Sequence, residues 1–217
     1  MKKMKKQFLV LVFLVISLIS CTTTELIEFW RNPEVESFQM TKVLVIGMTP
    51  NIEARYKFEE RLKKELELRG IEAVKSVDIL ETSFLMEGAT QKQIKIMDDV
   101  LTSNFFDAIL FTKVKGVEDK IVYSKNYKNK EYLDIKFKED YNNHQDILTN
   151  PSYYDKFKVF HAETSLYCIC PTKDRDLIWK GFIDIVDPVS IEETVDDYIN
   201  LLILALEEQD LLNKKTS

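Results

Sequence analysis

Two charged side chains occupy positions where they could do chemistry. Arg55 follows the strand-like run 42–48 within a few residues, and open α/β sheets bind ligands beyond such strand ends. Glu163 lies inside the apolar run 158–169, where a buried carboxylate requires a partner. These positions predict an Arg55–Glu163 ion pair across the end of the sheet. The alternative is that the two groups hold a ligand.

The cysteines Cys168 and Cys170 could form a disulfide or bind a metal. On a strand, side chains at i and i+2 lie on one face about 6 to 7 Å apart, outside usual disulfide geometry. We therefore expect two buried thiols, with a disulfide as the alternative. Zinc would need two further ligands, and only His144 and His161 are present. No metal site and no cofactor are predicted.

Enzyme motifs are missing from the sequence. The five glycines are scattered singly, so there is no phosphate-binding loop, and there is no Gly-x-Ser-x-Gly elbow. A glycoside hydrolase could use two of the 36 acidic residues, but most of these alternate with lysines, as on a solvated face. We expect a protein without enzymatic activity, and a hydrolase with paired carboxylates is the alternative.

Aromatic residues indicate where a partner could bind. Trp179 is expected in the core or over the sheet edge, with partner contact as the alternative. Six tyrosines and five lysines lie between positions 123 and 154. Because loops on a rigid scaffold often carry recognition, Tyr153 and Tyr154 are predicted to contact an anionic or polar partner. The alternative is that these rings only cover an exposed sheet.

The first 21 residues predict how the chain is attached in the cell. Four lysines precede the apolar run 8–19, and the small residue Ser20 precedes Cys21, as in a cleaved secretory signal. About 12 apolar residues are too few for a transmembrane span, which needs roughly 20. Leu18-Ile19-Ser20-Cys21 resembles the lipobox of bacterial lipoproteins. This resemblance implies cleavage after Ser20 and attachment of the acylated Cys21 to membrane lipid.

Composition describes the mature chain as one acidic domain. The net charge of −6 becomes −10 when the four lysines of the signal are removed. Such a chain is a poor partner for nucleic acid or anionic lipid, because both require clustered cations. About 175 folded residues fit one domain. We divide the chain into a signal peptide (1–20), the lipidated cysteine with a tether (21–40) and a single α/β domain (41–217).

Hydrophobic periodicity predicts an α/β fold. A strand at 42–48, a helix opened by Thr49-Pro50 and closed by Gly70, and a strand at 71–77 form a βαβ unit. A second helix at 90–105 leads to a strand at 107–114. Short polar breaks then indicate antiparallel strands at 117–123, 132–137, 158–169 and 176–186. Ser190 and Glu193 cap a final C-terminal helix, so the sheet is mixed.

Several short segments resemble small uncharacterised lipoproteins of Gram-negative envelopes. They are Trp30-Arg31-Asn32-Pro33, Lys42-Val43-Leu44-Val45-Ile46, Arg55-Tyr56-Lys57-Phe58-Glu59, Glu163-Thr164-Ser165-Leu166-Tyr167 and Leu177-Ile178-Trp179. The layout is also similar to the amino-terminal α/β domain of TolB and to the curli-secretion lipoprotein, a likeness of fold that carries no function. The resemblance implies an outer-membrane lipoprotein facing the periplasm. Thr22 after the cysteine agrees with outer-membrane sorting in enteric bacteria.

Three functional hypotheses follow. The first is a non-enzymatic envelope accessory protein that binds an envelope protein or a glycan. The second is a hydrolase of envelope glycan or lipid, which requires a cleft with two carboxylates about 5 to 9 Å apart. The third is a small-ligand binder that uses the strand ends near positions 51–55.

Overall fold

A computed structural model of the chain describes residues 23–79, 90–122, 155–169 and 176–214. In these ranges one sheet contains the strands β1 (Thr24–Arg31), β2 (Lys42–Met48), β3 (Glu72–Lys75), β4 (Ala108–Val122), β5 (Asp155–Cys168) and β6 (Leu177–Val186). The helices are α1 (Ile52–Glu67), α2 (Ser76–Ile79), α3 (Gln91–Ser103) and α4 (Ile191–Glu208). None of the helices in these ranges is long and apolar enough to cross a membrane.

The sheet is mixed, with the strand order β1-β6-β5-β4-β2-β3. Strand β2 pairs in parallel with β3 on one side and with β4 on the other, while β4, β5, β6 and β1 pair antiparallel in turn. The predicted α/β class is confirmed, including the βαβ unit β2-α1-β3, the antiparallel C-terminal strands and the final helix. Because the connections from β2 and β3 lead to opposite sides of β2, its carboxyl end is a topological switch point.

Helix α1 begins later than Thr49-Pro50 predicted. Its N-cap is Asn51, whose side-chain oxygen accepts a hydrogen bond from the Ala54 N–H at 3.1 Å. Asparagine satisfies a free amide of the first turn better than the upstream threonine can, so the helix starts at Ile52. At the other end Gly70 has a φ of +78°, the left-handed conformation in which helices commonly end.

Strand β1 corrects the predicted tether. It pairs antiparallel with β6, from Thr24 opposite Ile185 to Arg31 opposite Trp179. An edge strand needs little burial, and most residues of β1 are partly or fully exposed, so its sequence lacks the continuous apolar run of an inner strand. The domain therefore includes residues 24–31, which the sequence analysis had assigned to the tether.

The two faces of the sheet have different covers. Helices α1 and α4 pack on one face, here called the covered face, and enclose the main core: Val43, Val45, Leu62, Leu66, Leu110, Leu166, Trp179, Ile183, Ile199, Leu202 and Leu206. Helix α3 lies on the other face, here called the open face, and packs through Leu101 and Met97 against Leu44 and Ile109. Among the described residues, α3 is the helix that packs on the open face.

The predicted strands at 107–114 and 117–123 are one strand, β4, with an irregularity between Val114 and Gly116. Among the described strands, the C-terminal end of β4 pairs only with the first residues of β5, because β2 and β6 do not extend that far. These paired ends form a two-stranded arm. The segment 123–154 leaves and re-enters the sheet at the end of this arm. That segment, with Tyr153, Tyr154 and the strand expected at 132–137, lies outside the described residues, as does Cys21.

Cys168, the last residue of β5, forms a disulfide bond. The expectation of a free thiol at this position is therefore wrong. That expectation assumed strand geometry from Cys168 to Cys170, but β5 ends at Cys168 and position 170 lies outside the described residues.

Candidate functional site

Arg55 and Glu163 are both buried, with exposed fractions of 5% and 2%, but the predicted ion pair between them is wrong. Arg55 lies on α1 above the covered face. On β5 the Thr164 hydroxyl reaches Tyr198 of α4, so Thr164 also points to the covered face. Because side chains alternate along a strand, the adjacent Glu163 points to the open face. The sheet itself separates the two charges.

Arg55 instead pairs with Glu59, one turn later on α1. The Arg55 Nε atom lies 3.2 Å from Glu59 Oε1, and Arg55 Nη2 donates to Ser76 Oγ at 2.9 Å. The Glu59 carboxylate also accepts hydrogen bonds from the Gly47 N–H at 2.9 Å, the Ser76 hydroxyl at 2.6 Å and the Val77 N–H at 3.0 Å. This buried cluster is well satisfied and fixes α1 to the ends of β2 and β3. The i, i+4 spacing in the sequence was the signal for it.

Glu163 is surrounded by three lysines on the open face. Its Oε1 atom lies 2.9 Å from both Lys113 Nζ and Lys180 Nζ, and its Oε2 atom lies 3.4 Å from Lys115 Nζ. Burial opposes ionisation of Glu163, but hydrogen bonds from Lys113 and Lys180 outweigh it and lower its pKa to about 2. Glu163 is therefore ionised at neutral pH. Three ammonium groups facing one carboxylate leave two positive charges in excess.

The two tryptophans lie in opposite environments. Trp179 is fully buried in the main core, and a Cβ atom built on Gly181 would lie only 2.3 Å from its ring. The expectation that Trp179 is a core residue is confirmed, and the alternative of partner contact is wrong. Trp30 is 44% exposed and stands opposite Lys180 in the β1–β6 pair, on the open face.

These open-face residues form the cationic patch, which consists of Trp30, Lys113, Lys115, Glu163 and Lys180. The sequence analysis singled out only Glu163 among them. The alternation Thr112-Lys113-Val114-Lys115 was a signal for two lysines on one face of β4. The sequence could not predict that Trp30 and Lys180 lie together, because their proximity depends on the β1–β6 register.

His161 extends the charged surface along β5. Its Nδ1 atom lies 2.7 Å from Asp184 Oδ1, and its Nε2 atom lies 3.5 Å from Glu118 Oε2. The hydrogen bond with Asp184 raises the pKa of His161, with a smaller contribution from Glu118. Carboxylates therefore stabilise the protonated imidazole beside the patch.

A cleft opens on the covered face at the carboxyl end of β2. It has two adjoining parts with volumes of about 100 and 290 Å³. Almost all of its exposed lining is apolar, and its walls include Gly47, Ala54, Val114, Ala162, Ile185 and Val195. This is the switch point of the sheet and the region to which the third hypothesis assigned a small ligand.

The polar groups near the cleft are mainly hydroxyls that bond one another. Tyr198 OH lies 2.8 Å from Thr164 Oγ1, which lies 2.6 Å from Thr112 Oγ1. Burial raises the pKa of Tyr198, so this phenol is neutral. The buried Thr194 Oγ1 has no hydrogen-bond partner among the described residues. No carboxylate of the described chain lines either part of the cleft, so the geometry offers a hydrolase no pair of acids there.

A wider groove of about 610 Å³ between α1 and α4 does contain carboxylates. Each has a cationic partner: Glu60 with Lys75 at 2.8 Å, Asp196 with Arg61 at 2.7 Å and Glu192 with Lys57 at 3.5 Å. The hydrogen bond from Lys75 lowers the pKa of Glu60, the opposite of what a general acid requires. Within the described ranges, no three His, Cys, Asp or Glu side chains are grouped to hold a metal ion.

No protein-family model matches the chain, and no curated protein matches it significantly. The PelC dodecamer from Paraburkholderia phytofirmans has a TM-score of 0.44 and 10% identity, over 87% of this chain and 98% of the PelC chain. The lipoprotein GNA1162 from Neisseria meningitidis has a TM-score of 0.38 and 15% identity, over 78% of this chain and 96% of its own. Such values describe a similar general layout and carry no argument about function.

Proposed function

We propose that this protein is a lipid-anchored, non-enzymatic accessory protein of the bacterial envelope that binds an acidic protein partner through the cationic patch. The resemblance of Leu18-Ile19-Ser20-Cys21, after a cationic and apolar start, to a lipobox supports the anchor. The observation that carries the binding role is the excess of lysines over carboxylate around Glu163 on the open face. Attachment to the outer membrane, on its periplasmic side, is part of the same proposal.

The lysines of the patch are held ready for an anion. Lys113 and Lys115 project from β4 and Lys180 from β6, and Glu163 on β5 draws all three together. Each ammonium has three N–H donors, so donors stay free after the contact with Glu163. Because strands of one sheet fix the backbone, little ordering entropy is lost when a partner carboxylate binds.

Trp30 and the edge of β1 favour a protein over a glycan. Trp30 places an exposed aromatic ring beside Lys180, and interfaces concentrate binding energy in such residues. On its outer side β1 has no neighbouring strand in the described chain, so its free amide and carbonyl groups can pair with a partner backbone. Exposed Ile27 and Phe29 add apolar area on the same strand.

The tyrosine- and lysine-rich segment 123–154 is a separate proposal. Tyr153 and Tyr154 lie outside the described residues, and the expected contact with an anionic or polar partner stays a prediction. The strands that lead into this segment, β4 and β5, also carry Lys113, Lys115 and Glu163. A partner bound at the patch therefore contacts the same two strands that lead into the segment 123–154.

The test is capture of partners from membranes by the full lipidated protein. The double variant Lys113→Gln/Lys180→Gln should capture at least tenfold less partner, equivalent to about 1.4 kcal/mol. The control Lys57→Gln/Lys64→Gln removes the same charge from α1, on the covered face, and should capture as much as the wild type. Circular dichroism checks that both variants are folded.

Added salt should weaken capture by the wild type, because the contacts are ionic and partly exposed. Equal capture by the patch variant and its control contradicts the proposal. Captured material that resists protease but is destroyed by glycan-cleaving reagents shows that the partner is a glycan, contrary to the protein partner proposed.

A further inference from the structure

The chain enters the domain at the rim of the apolar cleft. The Thr23 N–H and hydroxyl both donate to Asp197 Oδ2 of α4, at 3.0 and 3.1 Å, and the Thr23 carbonyl accepts from the Val186 N–H at 2.7 Å. Ile185, which precedes Val186 on β6, and Val195, on the same helix as Asp197, line both parts of the cleft. Thr23 is thus fixed to the same strand and helix that form the cleft wall.

Cys21 is separated from the described residue Thr23 by a very short length of chain. It precedes Thr23 by two residues, and two residues span at most about 7 Å even when fully extended. Whatever the Cys21 sulfur carries begins close to the cleft rim. A tether of twenty residues would have placed it anywhere within tens of ångströms.

The chemistry of the cleft suits a hydrocarbon chain. Its exposed lining is almost entirely apolar, and the hydroxyls of Tyr198, Thr164 and Thr112 are engaged with one another. Arg55 reaches the cleft, but Glu59 neutralises its charge, so the site has little attraction for a charged headgroup. An apolar occupant would remove this lining from water, which is favourable in proportion to the apolar area buried.

The mouth of the cleft is also apolar. Met48 and Val189 line it and are largely exposed to solvent, and Ile52, at the start of α1, is exposed beside them. These residues lie at the end of the sheet where Thr24 begins β1, because Thr24 stands opposite Ile185 at the end of β6. An apolar chain that starts at the amino terminus of β1 therefore begins at the same end of the sheet as the mouth of the cleft.

We propose that the cleft holds one of the fatty acyl chains carried by Cys21. This inference rests on the lipid anchor of the proposed function and extends it by giving one acyl chain a binding site within the protein. The other chains remain for the bilayer. The domain then sits directly on the membrane with the carboxyl end of β2 toward the lipid, and the cationic patch stands on the side of the molecule.

The test labels the anchor in living cells with a palmitic acid analogue that carries an alkyne and a diazirine. Ultraviolet light then crosslinks the acyl chain to what it contacts, and peptide mass spectrometry locates the site. Crosslinks are expected within residues 47–54 and 185–198. Ala54→Trp fills the cleft and should reduce these crosslinks at least fivefold, whereas Leu204→Trp, on the exposed side of α4, should not.

Thr49→Trp, at the mouth of the cleft, gives the same readout if Ala54→Trp does not fold. Alkyne on Cys21 with crosslinks only outside the cleft, or only to a second copy of the chain, overturns the inference and leaves the lipid anchor standing. Absence of alkyne from Cys21 overturns both. A phospholipid or free fatty acid retained in addition to the anchor by the lipidated wild type in native mass spectrometry, and lost in Ala54→Trp, identifies a different occupant and also overturns the inference.

Discussion

The covered and open faces of one sheet bury different polar chemistry. On the covered face, the hydroxyls of Thr112, Thr164 and Tyr198 bond one another and carry no charge. On the open face, one residue away, Glu163 is buried as an ion among lysines whose side chains still reach solvent. A closed core tolerates neutral groups that satisfy each other, while an ion is retained only beside partners in contact with water.

Under the proposed function, this difference assigns stability mainly to the covered face and partner binding to the open face. The covered face supplies the large apolar core, and the hydroxyls of Thr112, Thr164 and Tyr198 on it bond one another. On the open face, the lysines around Glu163 keep N–H donors that Glu163 does not use, and the ring of Trp30 is exposed. Substitutions on the covered face should therefore change the free energy of unfolding more than those on the open face, whereas binding of a partner should respond in the reverse order.

Truncation of the two tryptophans should give the largest difference in free energy of unfolding between the two faces. Trp179→Ala removes a fully buried ring and should lower the free energy of unfolding by about 3 to 5 kcal/mol. Trp30→Ala removes a half-exposed ring and should cost less than about 1 kcal/mol while weakening partner capture. Urea unfolding followed by circular dichroism measures both. Equal losses of stability would mean that the two faces do not differ as described.

Acid should remove stability from the open face. The pKa of Glu163 is lowered from 4.5 to about 2 in the folded protein, so its contribution is complete above pH 4.5 and is lost as the pH falls toward 2. The expected size is roughly 2 kcal/mol, after allowance for the solvent-exposed lysines. Comparison of the wild type with Glu163→Gln across this range isolates it, because the other carboxylates are common to both proteins. A constant difference would refute the assignment.

Glu163→Gln also tests whether Arg55 and Glu163 are separated by the sheet. Arg55→Met and Glu163→Gln should have additive effects within about 0.5 kcal/mol, because the residues lie on opposite faces. Arg55→Met and Glu59→Gln share a direct contact and should couple by roughly 0.5 to 3 kcal/mol. Coupling of Arg55 with Glu163 instead would restore the pair expected from the sequence.

The smallest expected effect belongs to His161. The hydrogen bond with Asp184 raises the pKa of His161 in the folded protein, so its contribution to stability is present below the unfolded value of about 6.5 and is lost as the pH rises through the folded value. Because the ring is well exposed, only a few tenths of a kcal/mol are expected. Melting temperatures of the wild type and His161→Asn should converge between pH 6 and pH 8, and a growing gap would contradict this.

Local sequence signals predicted much of the fold and little of the surface. The apolar run of β2 and the Ser190 cap of α4 lie within single elements, so their residues alone identify them. Strand β1 was missed because its exposure pattern is that of an edge, and its partner strand is distant in the chain. Burial of Glu163 was foreseen and an ion pair was expected for Arg55, but the partners of both residues depend on which face each residue occupies. The cationic patch needs the register of four strands, which no single segment contains.

The pairing of β1 with β6 also sets the order in which the domain can fold. Thr23 and its partner Asp197 are separated by 174 positions, so in a chain made amino end first β1 must wait for the last strand and helix before it can pair. Until then the strand carries exposed Ile27, Phe29 and Trp30 along an unpaired edge, a surface prone to aggregation.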